Sequence, residues 1–346
     1  MGIAALRIAL LLLAAATLVN AILGGVARLG PAPSTTAALE YHGALMIAGF
    51  LGTVISIERA VALARPWAYL APLAAGLGAM AWLAGFDTLA RGLWIVAPIV
   101  FVMASGAIVQ RQRAAHTVLL LIAAGAWAFG NVLFAVHGTA AAVLPWWFTF
   151  LVLTIAAERL EMTRLMKRAP RAQTLLHAAT ALLLVGAAFA TWRVEGVVPF
   201  GIALIAIAAW LLAYDLARRT LHTSGFSRFA AVALLAGYVW LAVGGFCWAA
   251  APFLNGLDDL ALHAVALGFV FSMIFAHAPI IVPVVTRARM AYTPFFYVPL
   301  ALLHASVLWR AVAPFVGGSQ LYIAALLNAS AIVLFVATLI ASIARK

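Results

Sequence analysis

The sequence predicts an all-α, polytopic membrane protein with about twelve transmembrane helices. Of its 346 residues, 67% are hydrophobic and 9% are charged, and the mean hydropathy is +1.14. Soluble domains carry roughly 25% charged residues, so this chain has too few charges to cover a surface that faces water. Its Leu-, Ala- and Val-rich runs lack the alternation typical of membrane barrel strands, which favours helices. The lipid bilayer is therefore the predicted partner of most of the surface.

The spans follow from the length of the apolar stretches, since a helix that crosses the bilayer needs about 20 mainly apolar residues. Twelve such stretches are present, and the short loops between them leave no extramembrane domain. Spans 1 to 12 are predicted at residues 6–27, 37–61, 68–86, 90–110, 116–137, 143–163, 173–192, 197–214, 229–252, 259–284, 294–313 and 320–343.

The distribution of basic residues predicts the orientation. With twelve spans, all but four of the 21 Lys and Arg residues lie at or near helix ends on one side of the membrane; the exceptions are Arg28, Arg91, Arg193 and Arg310. This positive-inside pattern places both termini in the cytoplasm and indicates a bacterial inner membrane. The formal net charge of +12 therefore requires no nucleic acid, because anionic lipid satisfies it.

Several kinds of site are excluded or disfavoured by the residues present. The single cysteine, Cys247, cannot form an intrachain disulfide or a cysteine-rich metal site. The sequence has no phosphate-binding glycine loop, HExxH pair or GxSxG elbow, so ATP-driven work and soluble-type hydrolysis have no support. Asn20 and Asn131 are apolar-span amides that we expect to hydrogen-bond across helices or to face a cofactor.

An internal repeat divides the chain. Gly24–Gly25 and Gly244–Gly245 are 220 residues apart, and His42 and His263 are 221 apart. A weaker third copy lies between them, so the unit is about 110 residues, or four spans, and an even number of spans makes the units parallel. Chance similarity among Leu- and Ala-rich helices is the alternative. The prediction is one transmembrane domain, 1–346, with repeat units at approximately 1–113, 114–222 and 223–346.

Two histidines inside this repeat are the main functional candidates, because ionisable groups within a bilayer are costly and usually functional. His42 and His263 each lie about five residues into an outer end, which is about 7–8 Å deep at 1.5 Å per residue. Equal depth on related helices is what the two axial ligands of one haem require. Arg28 and Arg310, near the same surface, are candidate partners for the haem propionates. The alternative is that each histidine only hydrogen-bonds a neighbouring helix.

A second polar layer is predicted deeper in the membrane. Glu58 lies 16 residues after the first histidine and His277 lies 14 residues after the second, while Glu158 and His304 have similar depths on spans 6 and 11. Carboxylates and imidazoles together suit iron, copper or zinc, or a proton relay. As an alternative, the two glutamates form interfacial ion pairs with the arginines that follow them.

Twelve spans in three parallel groups, with histidines on spans 2 and 10, resemble the catalytic subunit of haem-copper oxidases and nitric oxide reductases. This resemblance implies that His42 and His263 bind low-spin haem, that His277 takes the place of the high-spin ligand and that Arg310 pairs with propionates. The chain departs from that family at its copper site, since span 6 has no histidine and span 7 has only His177. An oxygen-reducing binuclear centre is therefore not expected.

The chain is more similar to the NnrS-like membrane proteins, which are twelve-span haem-containing relatives linked to nitric oxide and nitrosative stress. Their second span opens with a His followed by a Gly-Phe step, as in YHGALMIAGF (41–50), and their tenth resembles ALHAVALGFVFSMI (261–274). The family's usual His-x-His-Glu run is absent here. The resemblance implies haem b, with a small gas such as nitric oxide or an electron donor as partner.

Three functions therefore stand as hypotheses. The first is a haem-b membrane protein, which as an enzyme would be an oxidoreductase. Two protein ligands close a haem to gases, so its reactivity would need ligand exchange or the deeper site. The second is a proton- or cation-coupled secondary transporter that uses Glu58, Glu158 and His277. The third is a cofactor-free assembly factor for a respiratory haem or copper enzyme.

Overall fold

The computed structural model describes residues 2–140, 143–163 and 171–344. These residues form helices joined by short connections, and no strand occurs among them. In chain order the helices are α1 (Ile3–Ala27), α2 (Thr36–Glu40), α3 (His42–Leu63), α4 (Leu70–Leu83), α5 (Asp87–Arg111), α6 (Ala115–His137), α7 (Leu144–Met162), α8 (Arg171–Trp192), α9 (Val197–Tyr214), α10 (Ala217–Thr220), α11 (Gly225–Ala250), α12 (Asp258–Thr286), α13 (Tyr297–Val316) and α14 (Gln320–Ala344).

The membrane class predicted from composition is confirmed. Within the described ranges, ten helices are long and apolar enough to cross a membrane. They lie at ten of the predicted spans, and the helices α4 and α7 lie at the other two. The agreement has a simple cause: a backbone in hydrocarbon must satisfy its own hydrogen bonds, so each long apolar run becomes a helix.

Local signals end the helices where the apolar runs end. Helix α6 stops at His137 because Gly138 adopts a left-handed φ of 73° and returns its N–H to the Phe134 carbonyl. Helix α3 stops at Leu63, where Ala64 has a φ of 54°, and a proline follows two residues later. Both helices therefore end directly before a residue in the left-handed conformation.

The chain folds as two compact units, residues 1–150 and 151–346. In the first unit, α1 packs against α3, and α5 packs between α4 and α6. In the second unit, α9 packs between α8 and α11, α13 packs along α14, and α12 contacts both α11 and α13. The predicted repeat boundaries at 113/114 and 222/223 do not coincide with this division, and the three-unit repeat stays a prediction.

A hydrogen-bonded amide lies in the aromatic core of the first unit. Asn131, which is 1% exposed, donates to the Trp94 carbonyl at 2.6 Å and accepts from the Trp147 indole N–H at 2.9 Å. This confirms that Asn131 bonds across helices. Asn20 instead donates to the Ala16 carbonyl one turn earlier on its own helix, at 2.9 Å.

Candidate functional site

The two helices that carry the candidate haem ligands share a rare irregularity. His42 begins α3 and is followed by a π-helical segment at Leu45–Leu51, while His263 in α12 is followed at once by a π-helical segment at Ala264–Phe271. Wide π-helical turns are uncommon, are usually single, and concentrate at functional sites. Here they run for seven and eight residues, each on the helix that carries a candidate ligand.

His42 is held by helix α1. Its Nδ1 atom lies 2.7 Å from the Ala21 carbonyl oxygen, and because a carbonyl only accepts, Nδ1 carries the proton. The lone pair of the imidazole is then on Nε2, which is the tautomer that a metal-binding histidine uses when a carbonyl orients it. Gly25, one turn after Ala21, lies against the ring, and a Cβ there would come within 2.6 Å of the His42 Cε1 atom.

His263 has the same tautomer, set by its own helix. Its Nδ1 atom lies 2.7 Å from the backbone carbonyl of Asp259 and 3.3 Å from the Oδ1 atom of the same residue. Helix α11 approaches at this level through Gly244, where a Cβ would lie 2.6 Å from Val265 Cγ2 and 3.4 Å from the Ala261 carbonyl. In both compact units, therefore, one glycine of the repeated Gly-Gly pair brings the preceding long helix against the histidine-bearing helix.

Arg310 forms a network with three other side chains beside His263. It is 5% exposed, and its Nε and Nη2 atoms lie 2.5 and 2.9 Å from the two carboxylate oxygens of Asp259. Its Nη1 atom donates to Asn328 Oδ1 at 3.3 Å, and Asn328 donates in turn to Ser306. Arg310, a candidate propionate partner, is thus already paired with a carboxylate of the protein. That carboxylate, of Asp259, also lies near the candidate ligand His263.

Sequence reasoning missed this role of Asp259. The spacing could have revealed it, because a residue four positions before His263 lies on the same helix face. Arg28, the other candidate propionate partner, is exposed and donates to the Leu39 carbonyl at 3.3 Å. The structure therefore gives the two arginines different surroundings, one in a buried ion pair and one at the surface.

The two histidines of the deeper layer have different hydrogen-bond partners. His277 directs Nδ1 at the Met273 carbonyl, 2.8 Å away. His304 accepts a hydrogen bond at Nδ1 from the Trp240 indole at 3.0 Å, and its Nε2 atom lies 3.5 Å from Ser272 Oγ. His304 therefore carries its proton on Nε2, the opposite tautomer to His277.

No metal-binding group joins these residues in the structure. Glu58 and Glu158 are half-buried near the ends of α3 and α7. Across the part of the chain that the structure describes, no three His, Cys, Asp or Glu side chains come together as a metal-binding group. A metal at the deeper layer stays a prediction.

A second buried ion pair lies in the second unit, and the sequence did not reveal it. Arg159 is 7% exposed, and its Nε and Nη2 atoms lie 2.6 and 3.1 Å from the carboxylate of Asp215, which is 3% exposed. Tyr238 Oη donates to the same carboxylate at 3.1 Å, and the Ala217 N–H donates at 2.6 Å. Both carboxylate oxygens are thus satisfied, so the network joins α7, α9 and α11 as a structural element.

Comparison with known proteins gives the family of the chain. The family model described as "Domain of unknown function (DUF8744)" matches residues 7–344. The chain belongs to this family. No curated protein and no solved structure matches it significantly. The match extends over both compact units of this DUF8744 chain, and the family description assigns no activity, so function has to be argued from the arrangement of the histidines.

Proposed function

We propose that this chain is a haem-b-binding integral membrane protein in which His42 and His263 are the axial ligands. The observation that carries the proposal is the shared setting of the two imidazoles. Each has its Nδ1 proton directed at a backbone carbonyl, and a π-helical segment begins within three residues after each histidine. A histidine fixed in this way presents the Nε2 lone pair, which is the atom that haem iron takes.

The residues present fit such a group. Both candidate ligands, His42 and His263, are half-buried. Their imidazoles are therefore not enclosed in the core and not fully exposed. Gly25 leaves room for the His42 ring to lie against helix α1. Among the propionate candidates, exposed Arg28 remains the simpler partner, because Arg310 is engaged by Asp259. When bound, haem b would supply electron transfer or gas binding, and the chain would orient it and shield it from water.

The wider proposal places the protein in a bacterial inner membrane with twelve spans, three parallel repeats and both termini in the cytoplasm. It relates the chain to the NnrS-like and haem-copper oxidase proteins, with nitric oxide response or electron transfer as the physiological role. The positive-inside pattern and the helices at all twelve predicted positions support this topology. A green fluorescent protein fused to the C-terminus should fluoresce in whole cells, and a fused alkaline phosphatase should be inactive.

An absorption spectrum of the purified protein tests the haem proposal. Wild type should show a Soret band and the α and β bands of reduced haem b, and a pyridine haemochrome assay should give stoichiometric haem. His42→Ala and His263→Ala should each lose these bands. His177→Ala and His222→Ala are matched controls, because both side chains are exposed and should leave the spectrum unchanged.

The result that defeats the proposal is a colourless wild type, or full haem content in both ligand variants. A colourless protein that binds protons or cations would favour the transporter, and haem that appears only transiently, during assembly of another enzyme, would favour the assembly factor. Nitric oxide added to the reduced protein adds a further test: because two histidines fill the axial positions, its binding should be slow and should displace one of them.

A further inference from the structure

Asp259 contacts His263, and the inference drawn from this contact rests on the proposed haem function. The strongest hydrogen bond of the His263 Nδ1 atom goes to the Asp259 backbone carbonyl at 2.7 Å, and the carboxylate Oδ1 atom is farther away at 3.3 Å. The carbonyl therefore orients the ring, while the carboxylate acts on it mainly through its negative charge. A negative charge at Nδ1 makes Nε2 a stronger electron donor to a metal.

That charge is balanced by a guanidinium on a neighbouring helix. Arg310 contacts both carboxylate oxygens of Asp259, at 2.5 and 2.9 Å, in the bidentate geometry that makes Arg–carboxylate pairs strong. The arginine is almost fully buried, whereas the Asp259 side chain is 35% exposed. Asn328, anchored by Ser306, holds the remaining end of the guanidinium, so the positive charge has a defined position.

We propose that Asp259 and Arg310 form a charge pair that sets the reduction potential of the haem through His263. The carboxylate stabilises the ferric form, because that form carries one more positive charge, and the guanidinium limits this effect. Neither residue touches the iron in this proposal; both are positioning residues that act through the imidazole. Asn328 and Ser306 stabilise this pair, because they hold the guanidinium against the carboxylate and away from solvent.

Opposite shifts in the reduction potential are the expected signature. Asp259→Asn keeps the shape and removes the negative charge, so the potential should rise. Arg310→Gln removes the positive charge that balances the carboxylate, so the potential should fall. Arg310→Lys keeps the charge without the bidentate contact and should lie close to wild type. Loss of structure alone would not move two variants in opposite directions.

The control is the neighbouring carboxylate. Asp258 is exposed and lies one residue away on the same helix, so Asp258→Asn makes the same charge change without contacting His263. Its potential should stay at the wild-type value. The experiment is a spectroelectrochemical titration of each purified, detergent-solubilised protein, together with its elution profile and its haem content.

The outcomes separate this inference from the proposed function. If wild type holds no haem, or if His263→Ala keeps it, the haem proposal fails and the charge-pair proposal falls with it. If wild type holds haem but Asp259→Asn and Arg310→Gln shift together, or no more than Asp258→Asn, only the charge-pair proposal is overturned. Should Arg310→Gln not yield folded protein, Asn328→Leu, which frees one end of the guanidinium, should lower the potential, and an unchanged value there would refute the proposal.

Discussion

Replacing Gly25 with alanine should disturb His42 from a neighbouring helix. A Cβ atom at position 25 would lie 2.6 Å from His42 Cε1 and 2.8 Å from Nδ1. Carbon atoms in contact settle at about 3.5–4.0 Å, so the ring must move by about 1 Å. The Nδ1 atom now lies 2.7 Å from the Ala21 carbonyl, and a shift of that size would weaken or break this bond.

The energy of this change can be estimated from its parts. Overpacking costs about 1–3 kcal/mol, and a lost hydrogen bond costs about 1 kcal/mol. The greater helix propensity of alanine offsets up to about 1 kcal/mol. The net loss of stability is therefore about 1–4 kcal/mol, which lowers the melting temperature by about 1–6 °C in a protein of 346 residues.

The assay compares Gly25→Ala with Gly92→Ala. Gly92 lies within α5, and a Cβ atom added there would have no neighbouring atom within 4 Å, so the same substitution should be neutral or stabilising. Melting temperature in detergent, followed by tryptophan fluorescence, and haem content should both fall in the first variant only. If Gly25→Ala proves as stable as Gly92→Ala and keeps its haem, the packing of His42 against α1 has been misjudged.

Three further perturbations test other parts of the molecule. Arg159→Met leaves buried Asp215 without its cation and should lower the free energy of unfolding by about 3–5 kcal/mol, so the protein should aggregate at a lower temperature on heating. Adding Asp215→Asn should recover part of this stability, and no recovery would argue against a direct ion pair. Deleting Ile47 from the π-helical segment Leu45–Leu51 should restore ordinary α-helical geometry and rotate the first part of α3 relative to the rest, so haem content should fall. Unchanged haem content would show that the π-helical segment is not needed for haem binding. Asn131→Leu breaks two interhelical hydrogen bonds and should destabilise the protein by about 1–2 kcal/mol in a denaturant-induced unfolding assay. Unchanged stability would show that the amide is not needed for helix packing.

Much of the fold was predictable from the chain alone, because the bilayer leaves few choices. An apolar run of about 20 residues must be helical in hydrocarbon, and its ends must coincide with polar or basic residues. This is why the predicted spans and the observed helices agree closely, as at 116–137 against Ala115–His137. The repeated Gly-Gly pairs also proved informative, since Gly24 and Gly244 each pack against the backbone of the histidine-bearing region.

The partners of the buried charges were not predictable in the same way. The sequence offered Glu158 as an alternative partner for Arg159, whereas the structure pairs Arg159 with Asp215, 56 residues away. Neighbouring residues on a helix point about 100° apart, so adjacency in sequence does not make an ion pair. Which of several distant carboxylates meets the guanidinium depends on how the helices rotate and pack.

The sequence by itself determined that this chain consists of apolar helices and that two of them carry a histidine near one end, because hydropathy and spacing are properties of the chain. Only the tertiary structure decided that Arg310 lies on Asp259, 51 residues away, and that a carbonyl of α1 holds His42. It also decided where the helices widen into π-helical turns. These features depend on helix rotation and close packing between segments far apart in sequence, which no local pattern of residues encodes.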